Sequence, residues 1–120
     1  MNEYIGMLLQ SRTQTHIYHL QTKSYAQHVA LQGFYEGIVP LIDQIVEGYQ
    51  GSYEILEDYV MKASIKNLSA DDDATKYIEN LKKFCELKRD KLPQDKFLQN
   101  LYDEVDNLIN STLYKLKFLN

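Results

Sequence analysis

Tryptophan is absent from this chain and cysteine occurs once, as Cys85. A single thiol forms no internal bridge, which excludes a disulfide-stapled secreted scaffold and makes a reducing compartment, the cytoplasm, the expectation. No apolar run approaches the roughly 20 residues of a membrane span. The opening Met1-Asn2-Glu3-Tyr4 lacks the basic-then-apolar layout of a signal peptide, so neither membrane insertion nor export is expected. Basic charge is also in short supply: 13 Lys and Arg stand against 17 Asp and Glu, with no basic tail at either end. DNA binding through clustered positive charge is therefore not expected. Two prolines and five glycines leave few breaks, and there are no internal repeats or low-complexity stretches. A chain of 120 residues is one domain, residues 1–120, able to bury a core without a staple.

What is present is helical periodicity. Over residues 4–20, Ile5, Leu8, Leu9, His16 and Leu20 predict a first helix with His16 on its apolar stripe. Thr22-Lys23-Ser24 is turn-like, and Ser24 with Gln27 reads as a capping box that opens a second helix over 25–50. That helix carries Leu31, Tyr35, Ile38, Ile42, Ile45 and Tyr49 on one face and Gly51 as a C-cap. Pro40 either kinks it or ends it early. Residues 52–66 predict a shorter amphipathic helix on Tyr53, Leu56, Val60 and Ala63. After a loop at 67–70, Asp71, Asp72 and Asp73 read as a helix start or as an acidic patch guiding cations to a pore. A third main helix, 74–90, turns Tyr77, Ile78, Leu81, Phe84 and Cys85 inward. Cys85 there is a core residue or a redox group. Pro93 marks a break before a fourth helix, 95–119, on Phe97, Leu101, Val105, Leu108, Thr112, Leu116 and Leu119.

The chemistry-bearing residues concentrate in 16–47. His16 and His28 are twelve apart and nearly equidistant from the turn, so they face each other if the two helices are antiparallel. Asp43 and Glu47 are one helical turn apart and share a face. Imidazoles and carboxylates together bind metals, but Asp43 lies fifteen residues beyond His28, roughly 22 Å along a helix at 1.5 Å per residue. One chain cannot bring both pairs to one ion. Two copies packed about a two-fold axis can, with two equivalent sites per dimer. His19, one turn from His16, is a partner that orients a ligand, an extra ligand or a satisfied histidine. Tyr18 and Tyr25 flank the stretch as packing residues or as quenchers of oxidising intermediates.

The spacing of His16, His28, Asp43 and Glu47, together with Leu31, Gly33, Phe34, Gly51 and the run Ala63-Ser64-Ile65-Lys66, resembles the Dps-type mini-ferritins. The resemblance implies an all-α, ferritin-like four-helix bundle with a short crossover helix between the second and third main helices. It also implies His16 and His28 as ligands from one subunit with Asp43 and Glu47 from its neighbour, and two-fold dimers built into a dodecameric cage. The implied chemistry is Fe(II) oxidation by peroxide or oxygen with iron storage; zinc or manganese would suit the same donors. Ile17 stands where the family usually has tryptophan, and Val29 and Gln32 replace acidic side chains, which implies poor mineral storage. No Glu-x-x-His unit occurs, so a diiron site within one chain is set aside. The competing expectation is a structural or interaction protein, for example a small helical viral accessory oligomer, that keeps the bundle and a vestigial site.

Overall fold

The computed structural model describes residues 1–62 and 64–119. Four helices form, α1 Asn2–Gln21, α2 Tyr25–Ser52, α3 Asp73–Lys88 and α4 Lys96–Phe118, with a 3-10 turn at Arg89–Lys91 between the last two. The described residues contain no strand. α1 packs on α2, α2 on α4 and α3 on α4.

The α1–α2 hairpin is set by its turn. Ser24 is the N-cap of α2, and its Oγ accepts from the Gln27 amide at 3.2 Å, while the Thr22 hydroxyl accepts from the Ser24 amide at 3.1 Å. Only half of the expected capping box forms, because the Gln27 side chain donates instead to the Asp71 carbonyl at 3.1 Å. α2 then runs unbroken through Pro40, which is exposed, so the Glu36 carbonyl that the proline leaves without its helical donor can turn to water.

The main core cluster is threaded through all four helices, and a smaller one joins Tyr18, Leu31 and Ala74. Tyr4, Ile5 and Leu8 come from α1; Phe34, Ile38, Ile42 and Ile45 from α2; Ile78, Leu81 and Cys85 from α3; and Leu98, Tyr102, Val105, Ile109 and Leu113 from α4. The α4 stripe is rotated from the expected one. Leu98, Tyr102, Ile109 and Leu113 face inward, while Phe97 and Leu119 are exposed. In α1 the expected stripe fails beyond Leu9: Leu20 is exposed, and the buried positions are Gln10, Ser11, Gln14, Thr15, Tyr18 and His19. Arg89 ties the 3-10 turn to α4 through Asp103 at 2.7 Å and Asp106 at 3.2 Å, and donates to the Gln99 carbonyl.

The crossover helix expected over 52–66 does not exist. Apart from Ala63, which lies outside the described residues, the chain between α2 and α3 is irregular. Of the described residues on the proposed apolar face only Leu56 is buried; Tyr53 and Val60 are exposed. The physical reason lies on α1, which offers this segment hydrogen-bonding side chains instead of an apolar groove. Lys62 donates its amide to Gln10 Oε1 at 3.1 Å, and Leu68 donates to Gln21 Oε1 at 2.7 Å. Gln14 grips Lys66 twice, accepting from its N–H at 2.8 Å and donating to its C=O at 2.9 Å. A glutamine amide has the donor and acceptor of a peptide group, so these side chains satisfy backbone that would otherwise need a helix or sheet. Nearer the start of α1, the Val60 amide donates to the Asn2 carbonyl at 3.3 Å. There Gly6 lets the backbones touch, since a Cβ on Gly6 would stand 1.9 Å from the Val60 carbonyl oxygen. The segment is a strap laid along α1.

Candidate functional site

The histidines gather where α1 ends and α2 begins, but not in the expected pairing. His28 stacks on His19, with ring centroids 3.6 Å apart and planes 20° from parallel. His16 stacks instead on Tyr35 at 4.2 Å, with the Arg12 guanidinium 5.9 Å from the centre of the same tyrosine ring.

The His19–His28 contact is reciprocal. His19 Nδ1 lies 2.7 Å from the His28 carbonyl oxygen, and His28 Nδ1 lies 2.8 Å from the His19 carbonyl oxygen. A carbonyl only accepts, so Nδ1 carries the hydrogen in both rings and Nε2 is the nitrogen left over. One of these bonds also finishes a helix. The last carbonyls of α1 have no helical donor, and two of them are met here, Tyr18 by the Thr22 amide and His19 by the His28 imidazole. His19 is therefore a buried structural partner of His28, which the residue types alone left open.

Asp43 and Glu47 are exposed on α2, far down the helix from His28. Among the described residues, no three His, Cys, Asp or Glu side chains stand close enough together to hold a metal ion. Within one chain the four residues singled out from sequence thus fall into three places: His16 against Tyr35, His28 against His19, and the two carboxylates in solvent.

Electrostatics follow the same division. Burial, with Arg12 and His19 nearby, holds the His16 imidazole below its ordinary value. Burial pushes the Cys85 thiol up to about 12, which keeps it protonated and inert as a core residue. Asp73 sits below the usual carboxylate range because the amides of Ala70 and Ser69 donate to its Oδ2, at 2.8 and 2.7 Å. Asp72 pairs with Lys76 at 3.1 Å. Two of the three aspartates thus fasten the start of α3.

Sequence reasoning missed the glutamines. Gln10, Gln14 and Gln21 lie four and seven residues apart on one face of α1, and their signal was an amide row where an amphipathic helix would carry apolar residues.

A family model described as "Family of unknown function (DUF5856)" matches residues 19–116, a span that takes in His19, His28, Asp43 and Glu47 and leaves out His16. A phage protein, the "Uncharacterized 14.6 kDa protein in mobD-ri intergenic region" of Enterobacteria phage T4, is 38% identical over 50 residues, 42% of this chain and 39% of the phage protein. The chain therefore spans well under half the length of that relative. No solved structure matches. These matches overturn the resemblance to Dps mini-ferritins. Three coincident spacings carried it, with Leu31, Gly33, Phe34, Gly51 and the run 63–66 in support; the crossover helix to which that run was assigned is missing, and His19 takes the place expected of His16.

Proposed function

The chain belongs to this family of unknown function, and from that membership we propose that it is a phage-type accessory protein that acts by binding, a small helical interaction module and not a catalyst. The observation that carries the reading is the strap. Tyr53, Ile55, Tyr59, Val60, Met61 and Ile65 are all exposed within one short segment, where single scattered apolar residues would be ordinary. Two further points support it. The relative is a phage protein, and the Nδ1 atoms of His19 and His28 are committed to joining α1 and α2.

Aerobic Fe(II) oxidation, followed by absorbance, tests the reading against iron chemistry. Wild type and the double variant His28→Ala with Asp43→Ala are both expected to match protein-free buffer. Acceleration by wild type that the variant lacks would overturn the interaction reading. A second arm replaces Ile55 and Met61 together by serine. Residues held for a surface role leave the unfolding free energy within about 0.5 kcal/mol. A loss of about 2 kcal/mol or more would assign them to the fold and remove the argument.

A further inference from the structure

We infer that the cleft between the end of the strap and α3 is a binding site for a small phosphorylated sugar, free or as part of a nucleotide, with Lys66 and Lys76 toward the phosphate and the Tyr18 hydroxyl donating to the ligand.

The cleft exists because the strap is held by α1 and not by α3. Gln14 takes both backbone polar groups of Lys66. Gln21 takes the Leu68 amide, and its Nε2 donates to Asn67 Oδ1 at 2.9 Å. On the other side, α3 lines the cleft with Asp73, Lys76, Tyr77 and Asn80, spaced as one face of a helix. About 680 Å3 is left between these walls, a volume typical of small-molecule sites. Tyr18 of α1 also lines it, meeting Tyr77 edge to face with ring centroids 6.1 Å apart.

Tyr18 marks the cleft as a site. It is only 5% exposed, yet its hydroxyl has no hydrogen-bond partner among the described residues. Buried polar side chains elsewhere in the chain are matched: Ser11, Thr15 and Thr112 donate to helix carbonyls, Gln14 holds the strap, and His19 meets the His28 carbonyl. The Tyr77 hydroxyl is also unpartnered but is sealed from solvent, whereas that of Tyr18 is not. Burial and the nearby Asp73 carboxylate raise the Tyr18 phenol above its ordinary value, so it keeps its proton and remains a donor.

Charge selects an anion. Of the three neighbouring aspartates, Asp73 is the one that lines the cleft, and its Oδ2 is already met by the Ser69 and Ala70 amides. Two cations stand against it. Lys66 has no ion pair among the described residues, and Lys76 has only Asp72 at 3.1 Å, an exposed pair that yields readily. Lysine meets phosphate as a point charge. An inorganic ion would leave most of the space empty, and the polar groups that remain are those that match sugar hydroxyls. Asn67 Nδ2, the Asn80 amide and Asp73 Oδ1 have no partner among the described residues, and together they supply both donors and an acceptor.

Titration calorimetry of the full chain at low salt tests the inference, with ribose 5-phosphate, the common ribonucleoside 5′-monophosphates, adenosine and inorganic phosphate as probes. Ribose 5-phosphate or a monophosphate is expected to bind with a dissociation constant below about 1 mM, and adenosine and inorganic phosphate about tenfold more weakly. A monophosphate that binds tighter than ribose 5-phosphate assigns the site to nucleotides; equal binding assigns it to the sugar phosphate itself. Lys66→Ala leaves the backbone held by Gln14 intact and is expected to weaken binding about tenfold. Tyr18→Phe removes only the unpartnered hydroxyl, so it is expected to weaken binding about fivefold with the thermal unfolding midpoint unchanged or higher. Inorganic phosphate that binds as tightly as the sugar phosphates would leave an adventitious ion only and overturn the site. Silence from every probe up to about 10 mM, or binding indifferent to both substitutions, would overturn it too. A Tyr18→Phe chain that melts earlier would assign the hydroxyl to the fold and remove its role as donor. None of these outcomes touches the apolar residues on which the interaction reading rests.

Discussion

At the scale of single residues, the structure gives His28 a different partner from the one its spacing suggests. His16 and His28 looked matched because they are nearly equidistant from the turn. What separates them is the direction of their side chains: His16 leans on Tyr35, and the ring that meets His28 belongs to His19, three residues on. Spacing gives the face of a helix and not which of two histidines one turn apart reaches across. His16 makes a pH-dependent prediction. Above the ordinary imidazole value of 6.5 it is neutral in folded and unfolded chains alike and contributes nothing to pH dependence. Below 6.5 the unfolded chain takes up the proton while the folded site resists, so stability falls across the window down to the lower folded value. NMR titration of the ring should place the His16 midpoint below 6.5, and His16→Gln should flatten the stability profile there. A midpoint at or above 6.5 would show that burial beside Arg12 does not govern this ring.

At the scale of elements, the four helices were legible because apolar repeats, in α1 only as far as Leu9, stand between breaks at Thr22–Ser24, 67–72 and Pro93. The strap was not. Tyr53, Leu56, Val60 and Ala63 repeat at helical intervals, a pattern that masks the β-branched and aromatic residues among them, Ile55, Tyr59 and Ile65. Nothing local to the segment reveals that amides on α1, some fifty residues away, satisfy its backbone. Because the strap depends on those amides and on close approach at one glycine, it fails by named substitutions. Gly6→Ala forces a methyl into the Val60 carbonyl and should cost about 1–3 kcal/mol. Gln14→Ala frees both polar groups of Lys66 and should cost about 1 kcal/mol, since water replaces the lost bonds at that exposed position. Hydrogen exchange should show the strap amides of Lys62, Lys66 and Leu68 losing protection in both variants, with the core of α2 unchanged. Equal loss in α2 would mean that the strap is inseparable from the core.

At the scale of the whole molecule, two helical hairpins are joined by the strap and share the main core, and no described helix is long and apolar enough to cross a membrane. The strap runs over the outside; among its described residues only Leu56 joins that core, and Leu68 packs on the smaller cluster. Continuity of the polypeptide is then a matter of proximity and not of architecture. A backbone cut between Asp58 and Tyr59 leaves α1 and α2 on one fragment, and the amide-bound part of the strap with α3 and α4 on the other. The two fragments, made separately and mixed, should reconstitute the helical circular dichroism of the intact chain, with a midpoint that rises with their concentration.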